Sequence, residues 1–97
     1  MEIKVFSKNK RFLSLMETAT GKFIKCVKGY FVEAREVRRD FFIHYDKSSN
    51  VWAVHDYLTA RRIAAASEYF AALEAFSKTI KTFNLDTLKN LPAINPD

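Results

Sequence analysis

Glycine and proline are scarce in this chain of 97 residues, which holds only Gly21, Gly29, Pro92 and Pro96. So few chain breakers leave no flexible linker and no low-complexity tract, and no internal repeat is visible. Cysteine is scarcer still: Cys26 is single, which excludes an internal disulfide. Structural zinc would have to be assembled from that thiol and two histidines, His44 and His55, without the close ligand pairing such sites use, so no metal or cofactor is expected. No stretch approaches the roughly eighteen consecutive apolar residues of a membrane span. The opening "MEIKVFSKNKRF" lacks the apolar run and cleavage site of a secretory signal. The expectation is a cytoplasmic protein with no membrane partner. A Gly-rich phosphate loop and a nucleophile elbow are missing too.

What is present fits one ordinary domain: 48% apolar and 28% charged residues, with nine Phe, four Tyr and one Trp to build an aromatic core. We expect a single domain over residues 1–91 and a frayed, proline-containing tail over 92–97. The net charge of +5 is unevenly placed. Residues 1–47 hold eleven Lys and Arg against six acids, whereas residues 48–97 hold five of each sign. Such asymmetry attracts nucleic acid, a nucleoprotein or an acidic protein surface, and equally serves as plain solubilising charge.

Periodicity predicts an α+β fold, an antiparallel sheet of three to five strands packed by one long C-terminal helix. "EIKVF" is strand-like and "KFIKCVKGYFV" has β composition, while "RFLSLMETATG" is ambiguous between strand and helix. "EAREVRRD" reads as a turn, a strand end or one helical turn. The clearest hairpin runs from Phe41 to Asp56, where alternation with Asp46 opposite Val51 puts Phe41, Ile43, Tyr45, Trp52 and Val54 on one apolar side. Phe42, His44, Val51, Ala53 and His55 fall on the other side. In the preferred reading "YLTA" then turns into a short strand, with Ile63 beside Val54, Arg61 beside Asp56 and Arg62 beside His55. Ser67 would cap a helix carrying Tyr69, Leu73, Phe76, Ile80 and Phe83 at spacings of three and four, with Glu74 and Lys78 paired on its outer side. The rival reading is a single helix from Ala60 to Phe83 capped by Thr59. A further helical turn is expected through Leu85, Leu88 and Leu91.

Catalysis finds little support. His55 and Asp56 are adjacent, so in a strand their side chains point to opposite faces. Cys26 with His44 or His55 could form a thiol and base couple, but between Ile24 and Val27 it reads as a buried small hydrophobe. We therefore expect a binding protein, not an enzyme. An uncovered sheet face carrying Phe42, His44, His55 and Arg62 would offer one ring and several cations to a nucleic acid. Arg61, placed beside Asp56, is the other arginine expected to give the contact. Arg35, Arg38 and Arg39 form the densest cation cluster, offset by Glu33, Glu36 and Asp40. Lys22, Lys25 and Lys28 align on a helix but alternate on a strand. A protein partner on the same surface is the alternative. The oligomeric state is not readable.

The strand "FFIHYD", the run "WAVHDYLTARRIA" and a helix opening at Ser67 resemble the strand-hairpin-helix modules of phage and conjugative-element proteins, the polyvalent-protein-associated domains among them. The likeness spans about Phe41 to Phe83, and Ala60 stands where such modules usually show Gly. It implies a mobile-element protein in contact with DNA-processing machinery and no catalytic residues. A chain this short also looks like phage-encoded inhibitors of host defence, anti-CRISPR proteins included, which implies a protein-directed inhibitor as the other expectation.

Overall fold

The computed structural model describes residues 2–96. Its strands are β1 (Ile3–Val5), β2 (Lys10–Thr18), β3 (Gly21–Ala34), β4 (Asp40–Asp46), β5 (Val51–Asp56) and β6 (Arg62–Ala66), followed by helices α1 (Tyr69–Thr82) and α2 (Asp86–Lys89). The architecture is α+β, as expected, but the antiparallel sheet has six strands and α1 has only 14 residues. The strand order is β1-β3-β4-β5-β6, with β2 paired to β3 off that path. Among the described residues no helix is long and apolar enough to cross a membrane.

The hairpin read from alternation forms in the expected register, Asp46 opposite Val51 and Ile43 opposite Val54. Its apolar side, Phe41, Ile43 and Val54, is fully buried with Val32 and Ala34 against Ala72, Phe76 and Ile80 of α1. Helical spacing put Phe76 and Ile80 on the inner stripe, and they are the side chains that seal this core. The Glu74–Lys78 pair lies outside at 3.1 Å. Residues 62–66 are strand, so the single helix from Ala60 is excluded. Arg62 does lie opposite His55, but Val54 faces Ala64 and not Ile63, because a bulge follows Val54. The N-cap position belongs to Glu68, without a side-chain hydrogen bond, so Ser67 is not the cap.

The sequence reading left the second face of the hairpin open, and here it is corrected. β2, the ambiguous segment, is a strand that crosses this face: Phe12 stacks on Phe42 at 4.5 Å, and Leu15 N–H donates to the Ala60 carbonyl. Phe42, His44 and His55 are thereby sealed, with at most 1% of each exposed. β3 makes this possible through its length, pairing with β2 along Gly21–Gly29, with β4 along Gly29–Glu33 and with β1 along Val32–Ala34. At the crossover only glycine fits, since a Cβ on Gly29 would sit 2.3 Å from the Ile43 carbonyl oxygen.

The tail is likewise held as far as the described residues run. Within the segment expected to fray from residue 92, Asn95 is 4% exposed, accepts from Leu13 N–H and donates to the Leu13 and Tyr57 carbonyls. Asp97 lies outside the described residues.

Candidate functional site

Of the side chains expected to meet a partner, the two histidines are furthest from one. Their Nε2 atoms are 3.1 Å apart, and His55 Nδ1 lies 2.9 Å from the Ala60 carbonyl. A carbonyl only accepts, so His55 carries its proton on Nδ1 and His44 must donate from Nε2 to His55 Nε2. That leaves His44 Nδ1 as a bare, buried acceptor with no hydrogen-bond partner. Burial pushes the His55 pKa down to about 3 against the opposing Ala60 hydrogen bond, and it lowers His44 as well. The pair sits in a ring stack, Phe12 on Phe42 and Phe42 on His55 with planes 7° apart. These are neutral core groups. Among the described residues no three His, Cys, Asp or Glu side chains converge, so the pair has no further donors with which to hold a cation.

The arginines divide. Arg39 is a structural strut, donating from Nε and Nη2 to the fully buried Asp56, which also accepts from Thr59 N–H and Oγ1. Arg35 pairs with Glu2 at 2.7 Å on the surface, while Arg38 is exposed with no ion pair among the described residues. Arg62 donates to Asp46 at 3.0 Å. Burial alone would raise the Asp46 pKa, but hydrogen bonds from Ser48, Ser49 and Arg62 hold its carboxyl well below the carboxylate range. Arg61 is different: its guanidinium has no hydrogen bond among the described residues, and its nearest carboxylate oxygen, on Glu17, is 3.9 Å away.

The strongest electrostatic feature is the β2–β3 hairpin. Residues 8–29, the stretch of the hairpin where β2 and β3 pair together with Lys8 just ahead of it, hold six cations, Lys8, Lys10, Arg11, Lys22, Lys25 and Lys28, against the single acid Glu17. That surplus of five equals the net charge of the whole chain, so the remainder is neutral. Beyond the part that covers the sheet, residues 17–26 are all exposed, a projecting two-stranded arm. Lys22 pairs loosely with Glu17 at 3.7 Å; the other five cations have no ion pair among the described residues. Arg11 and Lys28 even face each other across the strands, an arrangement that costs stability. Phe23 and Ile24 on the arm are 46% and 44% exposed, and Cys26, expected to be buried, is exposed too.

Lys22 and Lys28 share one face of the arm and Lys25 takes the other, as strand alternation requires. Sequence reasoning missed Lys8, Lys10, Arg11 and Phe23. Counting charge over the window bounded by the hairpin, not over half the chain, would have found the cations, but the hairpin itself was not recognised. No protein-family model, curated protein or solved structure matches this chain.

Proposed function

We propose that this protein acts without catalysis, by binding nucleic acid through the cationic β2–β3 arm. The observation that carries this reading is that residues 8–29, the β2-paired part of the hairpin with Lys8 just ahead of it, hold a surplus of five cations, equal to the net charge of the chain, and that these cations, Lys22 apart, are not spent on the protein's own carboxylates. Unpaired lysines on an extended ribbon match the spaced charges of a phosphate backbone, and each neutralised phosphate releases condensed counterions. The opposed Arg11 and Lys28 support the reading further, since a purely structural hairpin gains nothing from that repulsion. The sealed, neutral histidine pair offers a substrate no proton donor or acceptor, which favours binding over chemistry. The phage-module resemblance, with its DNA-processing context, points the same way.

The test is fluorescence anisotropy with labelled mixed-sequence DNA and RNA, single- and double-stranded, at 20–200 mM salt. Binding is expected at the low end, with log K falling against log salt at a slope of roughly −3 for three or four phosphate contacts. The triple variant Arg11→Gln, Lys25→Gln, Lys28→Gln should flatten that slope while leaving the fold intact. Absence of binding to every probe at low salt overturns the proposal.

A further inference from the structure

Among the described residues β6 pairs with β5 alone, and along its other edge a groove of about 860 Å³ opens towards the arm and α2. Arg61, Arg62, Phe23, Asp46 and Phe83 are among the residues that line it. Three features of these side chains bear on what the groove takes. Arg61 is 33% exposed and its five N–H donors make no hydrogen bond among the described residues; Glu17, an exposed acid that also lines the groove, comes no nearer than 3.9 Å, which leaves the fork free for the paired oxygens of a phosphate or carboxylate. Asp46, the acid closest to Arg62, is 4% exposed and accepts from Ser48, Ser49 and Arg62, so its charge is consumed inside the wall. Arg62 itself is 37% exposed, and only Nη2 of its guanidinium is engaged. Phe23 stands on the arm side and is 46% exposed, where an apolar side chain gains nothing from water.

We propose that this groove seats a short single-stranded stretch of nucleic acid, its phosphates on Arg61 and Arg62 and one base stacked on Phe23. The inference rests on the nucleic-acid reading above and narrows it. Two guanidiniums lining the same groove as an exposed ring supply the phosphate clamp and the stacking platform by which proteins hold single strands without reading sequence. The arm's lysines extend the same positive field out of the groove mouth. The bases of a double helix are paired and stacked on one another and so are not free to stack on a ring.

The experiment compares a labelled oligothymidylate of fifteen nucleotides, a mixed-sequence duplex of the same length and a poly-glutamate peptide, on the wild-type chain, Phe23→Ala, Arg61→Gln and the arm triple variant. The oligothymidylate should bind more tightly than the duplex. Phe23→Ala should weaken it roughly 5- to 100-fold, the range of one base–aromatic stack, with Arg61→Gln lowering affinity and salt slope together. Both side chains are at the surface, and unchanged thermal melting separates these losses from unfolding. Equal or tighter duplex binding overturns the groove proposal, as does single-strand binding that resists Phe23→Ala and Arg61→Gln but is lost in the arm variant; either leaves the arm as a nucleic-acid site. Binding of poly-glutamate alone makes the groove a peptide site and overturns it too. Failure of every nucleic-acid probe at low salt removes the reading beneath it.

Discussion

His55 shows how one buried side chain sets the acid sensitivity of the fold. Its neutral form is held by the Ala60 carbonyl and by His44, with Asp46, Arg62 and Lys25 as the charged groups whose fields reach the pair. The folded pKa of about 3 lies below the ordinary 6.5, so between those values the unfolded chain binds the extra proton. Stability is then full above pH 6.5 and falls as pH drops through that window, by about 1.4 kcal/mol per unit for this group. His44 shifts in the same direction and adds to the loss. Urea denaturation at pH 7.5 and 4.5 should differ by about 3 kcal/mol, and His55→Phe, which keeps a ring in the stack, should reduce the slope by one proton. An unchanged slope in that variant would place the linkage elsewhere. Ala60 contributes to the same arrangement: at φ 62 it takes the left-handed turn that glycine usually fills, and its carbonyl accepts from both His55 and Leu15.

At the scale of elements, the β2–β3 hairpin sets stability against binding. Lys28 faces Arg11 directly, so Lys28→Glu exchanges a repulsive cross-strand pair for an attractive one. We expect the variant to gain about 0.5 kcal/mol in chemical denaturation and to lose nucleic-acid affinity at low salt. Unchanged or increased affinity would show that Lys28 is not a contact, and a loss of stability would show that its repulsion with Arg11 is not what the hairpin feels. α1 and β4–β5 were legible because each displays one period without interruption: Phe41, Ile43 and Tyr45 at every second residue, Phe76, Ile80 and Phe83 at every third or fourth. β2 was not, since "FLSLM" satisfies either period and its partner, the first half of β3, carries exposed Phe23 and Ile24 that resemble core residues. Ser67 misled because a capping residue type signals a helix start only to within a residue or two.

In the whole molecule, the C-terminal segment ties the two ends of the chain together. Asn95 joins Leu13 to Tyr57 through three hydrogen bonds. Asn95→Ala leaves those backbone groups without partners, and we expect a loss of about 2 kcal/mol with faster amide exchange at Leu13, while the neighbouring Ala60 bond to Leu15 persists. Protection at Leu13 that survives the substitution would show that the tail is not a clamp. The amino-acid sequence by itself determined the α+β class, the central hairpin register, the helical stripe and the total charge, because each depends on local period or on simple composition. Only the tertiary structure decided that both faces of the hairpin are covered and which cations remain unpaired. Those outcomes depend on β2 reaching across the sheet to Phe42 and Ala60, and on carboxylates such as Asp46 and Asp56 meeting arginines far away in the chain. Contacts between segments with no shared period leave no local pattern. The histidines of the expected contact surface therefore became core, and the lysines of an unrecognised hairpin became the exposed charge.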